Sequence, residues 1–194
     1  MIDKKTMMSI FISVIMILSV IGFVLVDYSD GEETKKTYNG YKFIRMQNGW
    51  KGNIGGEKIT FNYLPNQLED IKITPEAITQ MQTSPMLAVT YDSNSKWAQD
   101  YGALQYYIEQ TLNSQARYIK RAVTNNTKHP SMQQLTCKNA SKQLPVILLD
   151  VNITQDRTQM NYENNCLTIT ATRTNEIYRA TDRLIYIILG VMKE

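Results

Sequence analysis

Met86–Val123 reads MLAVTYDSNSKWAQDYGALQYYIEQTLNSQARYIKRAV, and the fold turns on how this stretch is parsed. Met86–Tyr91 is a short apolar run, rich in residues that favour strands. Asp92-Ser93-Asn94-Ser95 supplies a turn and a helix cap. Trp97, Tyr101, Leu104, Ile108 and Leu112 then recur at helical spacing and form one apolar stripe. In Arg117–Val123, Ile119, Arg121 and Val123 alternate against Tyr118, Lys120 and Ala122, the period of a strand. Strand, helix and strand predict a right-handed crossover joining parallel strands.

Downstream, Thr124–Pro130 is a polar loop, and Ser131–Gln143 predicts partial helix. Pro145–Val151, PVILLDV, is apolar on both faces and predicts a central strand. Pro145 fits at its start, where no ladder donor is needed. Thr158–Tyr162 and Cys166–Ala171 predict a hairpin around Glu163-Asn164-Asn165. A last helix is expected from Thr174 to Met192, with Ile177, Thr181, Leu184, Ile188 and Val191 on its core face and Leu184–Leu189 deeply buried.

Upstream, Tyr41–Met46 and Lys58–Tyr63 alternate with period two, punctuated by Asn48-Gly49 and Gly55-Gly56. They predict a hairpin or a three-strand meander with Trp50 covering one face. Ile71 and Ile73 suggest a short extended piece. Thr74-Pro75-Glu76 starts a short helix, with Thr74 as N-cap and Pro75 in the first turn, ending before Ser84-Pro85.

Met7–Val26, MMSIFISVIMILSVIGFVLV, has no charge and no proline. About 20 apolar residues in a helix match the hydrocarbon core of a bilayer, so a transmembrane helix is expected over residues 7–26. Lys4 and Lys5 place residues 1–6 in the cytoplasm and the C-terminal domain outside. A cleaved signal peptide would have a shorter apolar core and small residues at its end, where this chain has Phe23-Val24-Leu25-Val26. A leader cut before a filament-forming helix, as in a pilin-like subunit, is a third reading. Residues 27–37, DYSDGEETKKT, form a charged tether without a large aliphatic residue. Residues 38–194 then suffice for one extracytoplasmic domain with its own core. The expected fold class is α+β: a transmembrane helix followed by one mixed-sheet globular domain.

The formal net charge of +3 over 194 residues is too small and dispersed for a nucleic-acid partner. Arg117, Lys120, Arg121 and Lys128 are the densest basic group and read as solvated strand and loop. The expected partners are the lipid bilayer, through Met7–Val26, and other proteins of a cell envelope. Cys137 and Cys166 fall on the expected outside, where two cysteines most simply form one disulfide. Such a bond closes a loop of roughly 30 residues and contributes about 3–4 kcal/mol in the chain-entropy model; the alternative is two free buried thiols. His129 is the only histidine, and no metal-ligand spacing or cofactor motif occurs. Asn125, Asn139 and Asn152 each begin an N-x-[ST] sequon and would carry glycans where the machinery exists. No G-x-S-x-G, H-E-x-x-H or phosphate loop is found, and Glu69, Asp70 and Asp150 read as surface charge. No catalytic residue, metal or cofactor is therefore assigned, and no enzyme is expected.

The element order from Met86 onward is similar to the thioredoxin fold. Pro145 stands where that family keeps a cis-proline. The family's C-x-x-C position, at the start of the first helix, reads here Ser93-Asn94-Ser95-Lys96. The resemblance implies a redox-inactive scaffold that holds substrates; a thiol–disulfide factor would require Cys137 and Cys166 to exchange with dithiols. The chain also resembles a group of small archaeal single-pass membrane proteins. That resemblance rests on the Lys-flanked apolar run, Tyr38-Asn39-Gly40-Tyr41-Lys42-Phe43, Cys137-Lys138-Asn139-Ala140-Ser141, Glu163-Asn164-Asn165-Cys166, and Asp182-Arg183-Leu184 leading to Leu189-Gly190-Val191-Met192. It implies the same topology and paired cysteines and adds no mechanism.

Overall fold

The computed structural model describes residues 8–19, 35–153 and 156–193. The chain divides into two units, Met1–Lys36 and Thr37–Glu194.

In the first unit, helix α1 covers residues 8–19. Among the described residues no helix is long and apolar enough to cross a membrane. This overturns the expected transmembrane helix. Residue 7 and residues 20–26 of that expectation lie outside the described residues, as do residues 1–6 and residues 27–34 of the tether.

The second unit is α+β, but it is built on two sheets rather than one. The first is a meander of β1 (Lys35–Tyr38), β2 (Tyr41–Met46), β3 (Gly49–Ile54) and β4 (Glu57–Phe61) in sequential order. Its turns use Asn39 and Gly40, both at positive φ, and Gly55-Gly56, the pattern a tight hairpin requires. Phe43, Trp50, Ile54, Ile59 and Phe61 fill one face. Lys42, Ile44, Lys51 and Lys58 occupy the other, as the period-two alternation dictates.

The second sheet has β5 (Met86–Tyr91), β6 (Tyr118–Val123), a two-residue β7 (Gln133–Gln134), β8 (Val146–Val151), β9 (Gln159–Glu163) and β10 (Cys166–Ala171). Their order is β7-β6-β5-β8-β10-β9. The pairs β7–β6, β6–β5, β5–β8 and β8–β10 are parallel, and β9 joins β10 antiparallel. The both-sided apolar run of β8 thus sits in the middle of the sheet. The stretch at Ile71 and Ile73 forms no strand; Ile71 is simply buried. No peptide bond among the described residues is cis, so the thioredoxin-like cis-proline at Pro145 is absent.

Three helices pack on the sheets. α2 (Pro75–Thr83) starts as expected: Thr74 Oγ1 accepts a hydrogen bond from the Ala77 amide at 3.4 Å, and Pro75 fills the first turn. α3 (Ala98–Asn113) buries Tyr101, Leu104, Ile108 and Leu112. α4 (Thr174–Ile188) is buried on every side from Ala180 to Ile188. The reason is its place between the sheets. Tyr186 stacks on Phe61 of the meander with ring centroids 4.0 Å apart, and meets Phe43 edge-on at 5.8 Å. Other α4 side chains share one core with Leu149, Leu167 and Ile169 of the second sheet. The helix stops before the expected Met192 because Gly190 takes φ +71° and turns the chain back onto the Tyr186 carbonyl.

Candidate functional site

The helices cover one face of the six-stranded sheet. The other face carries small and apolar side chains, where Ala88, Ala122, Val146 and Cys166 form a second cluster with Leu135. Over them runs the segment that follows β7. Its expected helix is reduced to one 3-10 turn, Cys137–Asn139. The turn is held by reciprocal caps. Asn139 Oδ1 accepts hydrogen bonds from the Thr136 amide at 2.8 Å and the Thr136 hydroxyl at 3.1 Å, while Thr136 Oγ1 accepts from the Lys138 amide at 3.3 Å. Thr90, buried on β5, donates from Oγ1 to the Leu135 carbonyl at 2.8 Å. Without a long helix, the segment depends on such pins.

The strongest pin is the cysteine pair. Cys137, on the 3-10 turn, and Cys166, first residue of β10, have Cα atoms 5.2 Å apart and sulfurs 2.07 Å apart, which is disulfide-bonding distance. Cys166 is 3% exposed. Thr168 Oγ1 lies 3.9 Å from the Cys137 sulfur. Beside the pair opens a concavity of about 400 Å³, bordered by Lys138, Asn161, Glu163 and Thr168. With Asn164 also on its rim, it offers one cation, one carboxylate, two amides and a hydroxyl. That set can hydrogen-bond a polar chain. Among the described residues no group of three or more His, Cys, Asp or Glu could hold a metal ion.

The sequon asparagines are scattered, and only Asn139 adjoins this site. Asn139 is exposed, with its side chain engaged by Thr136. Asn125 is half-buried; its Oδ1 accepts from the Thr127 amide at 3.0 Å, and its carbonyl accepts the Ser93 hydroxyl. Asn152 is half-buried at the end of β8, and Thr154 of its sequon lies outside the described residues. The basic group is dispersed as well. Arg117 donates to the Met81 and Ser84 carbonyls at the end of α2, at 3.0 and 2.7 Å, and Arg121 pairs with Glu109 at 3.3 Å. Asp70, expected to be a lone surface charge, pairs with Arg179 at 2.8 Å.

A second polar node escaped the sequence reading. Asp182, fully buried on α4, accepts hydrogen bonds from the Asn62 and Tyr63 amides at 2.7 and 2.9 Å. It also accepts the Tyr107 hydroxyl at 2.8 Å. Burial pushes its carboxyl up to about 6, against the pull of those donors. Burial and the neighbouring carboxylate push Tyr107 well above the usual tyrosine range. The node ties the end of β4 to α3 and α4, so its work is structural. A charged Asp182-Arg183 dipeptide inside an apolar helix was the signal that could have revealed it. No protein-family model, curated protein or solved structure matches this chain.

Proposed function

We propose that this chain is an extracytoplasmic structural or interaction module of a cell envelope, recognising a protein partner at the concavity beside Cys137 and Cys166. The observation that carries the reading is the cysteine pair at bonding distance. It fastens an otherwise weakly structured segment across a sheet face. Disulfides form and persist chiefly in oxidising compartments, which favours a place outside the cytoplasm. The border of Lys138, Asn161, Glu163 and Thr168 supplies hydrogen bonds for docking.

A photoreactive side chain placed at Asn161 in the producing cell tests this. The reading expects a discrete cross-linked species, lost when Thr168→Arg fills the concavity and absent when the probe is at exposed Tyr106. Identical products from both positions would refute it. Rapid exchange of the native cysteine pair with a small dithiol would point instead to a thiol–disulfide factor.

A further inference from the structure

We propose that the outer face of the first sheet docks on an anionic lipid bilayer surface. The face is independent of the cysteine concavity. Between Lys35 and Tyr63 the chain has six basic residues, Lys35, Lys36, Lys42, Arg45, Lys51 and Lys58, and one acidic residue, Glu57. Strand alternation sends Lys42, Lys51 and Lys58 to one side. The register sets Ile44 opposite Lys51, Lys51 opposite Thr60, and Asn53 opposite Lys58. The three lysines therefore spread across β2, β3 and β4 on one surface. Among the described residues none of them has an ion-pair partner.

Charge complementarity selects an anionic partner, and the apolar residues within the patch select lipid. Ile44 and Met46 stand among the lysines at 45% and 44% exposure. Lysines at the level of headgroup phosphates, with aliphatic side chains reaching just below, is the arrangement of a protein surface that lies on a bilayer. A single-stranded nucleic acid would call for stacking aromatics, and the outer positions of β2, β3 and β4 supply none. Helix α1, in the other unit, separately exposes Phe11, Met16 and Leu18 by more than half. A lipid phase suits such side chains too, and surface docking requires no spanning helix.

The experiment is cosedimentation of the full chain with vesicles of phosphatidylcholine alone or mixed with phosphatidylglycerol, at low and high salt. Wild type is expected to prefer the anionic vesicles, and salt should weaken that preference. Lys42→Glu/Lys51→Glu/Lys58→Glu should cut the preference about tenfold or more, with each single reversal giving a graded part of the loss. The single variants keep the test decisive if the triple variant does not fold. Ile44→Ser/Met46→Ser should weaken binding to anionic vesicles severalfold while leaving any binding to polyglutamate or an oligonucleotide unchanged. An undiminished preference after lysine reversal overturns the proposal. So does lysine-dependent binding that goes to polyglutamate or an oligonucleotide and ignores the Ile44 and Met46 changes.

Discussion

Asp182 on α4 accepts the hydroxyl of Tyr107 on α3 at 2.8 Å, deep in the core, and among the described residues no arginine or lysine pairs with it. Its other oxygen takes the Asn62 and Tyr63 amides, so the carboxylate is balanced by donors rather than by a countercharge. Removing it strands two backbone N–H groups, while the Tyr107 hydroxyl keeps the Thr60 carbonyl as an acceptor at 3.1 Å. Asp182→Ala should therefore lower unfolding free energy by about 3–5 kcal/mol, and the near-isosteric Asp182→Asn by about 1. Urea unfolding of both variants checks this; equal losses would contradict it.

The same group sets a pH dependence. Its folded value of about 6 lies above the ordinary 3.8, so the folded chain holds a proton that the unfolded chain releases between those values. The contribution is fully present below about pH 4 and is lost as the pH rises through about 6. The stability difference between wild type and Asp182→Asn should drift in wild type's disfavour across that window. Parallel stability curves would show that Asp182 does not titrate there.

Gly49 has φ +138°, and a Cβ at that position would collide with the Phe61 carbonyl oxygen. Gly40 has φ +82° and open space around it. Gly49→Ala should lose about 3 kcal/mol or more, Gly40→Ala about 1. Thermal melts of the two variants give the ranking, and a reversal would contradict the register of the meander.

Arg183 is 1% exposed; it donates to the Met192 sulfur at 3.1 Å and the Lys193 carbonyl at 3.2 Å, and its Nε has no partner among the described residues. A buried cation held this way adds little net stability. Arg183→Met should stay within about 1 kcal/mol of wild type or exceed it, whereas Arg183→Ala, which leaves a cavity, should lose about 3. Equal losses in denaturant titrations would show that the charge itself is required.

Much of the fold was legible wherever one periodicity dominates. MLAVTY, the Trp97–Leu112 stripe and PVILLDV correspond to β5, α3 and β8, and the Thr74-Pro75 start of α2 follows from capping chemistry alone. What escaped depends on tertiary placement. A helix pattern reports the face packed against one layer, and Ile177, Thr181, Leu184 and Ile188 describe that face. The meander roofs the opposite side, so Asp182 and Arg183 are buried where amphipathic logic places solvent. Nor does an alternating strand say which element will cover it, so two sheets were read as one. Composition suggested a span at Met7–Val26, but among the described residues no helix is long and apolar enough to cross a membrane. For the site, the cysteine pairing was legible because the chain has just two cysteines, while the concavity depends on β9 and the 3-10 turn meeting across β10, which no local pattern encodes.

Replacing both cysteines with serine should cost about 3–4 kcal/mol, because the chain between them closes a loop of roughly 30 residues. Equal urea midpoints for the variant and the wild type would mean the pair holds nothing in place.

The oxidation state of that pair in the producing cell is the most direct test. Protein is alkylated under denaturing conditions without reductant, digested, and analysed by mass spectrometry. An extracytoplasmic module pinned by its cystine predicts a Cys137 peptide joined to a Cys166 peptide, with neither thiol alkylated. Two alkylated, unlinked cysteines would contradict both the oxidising compartment and the cross-linked site.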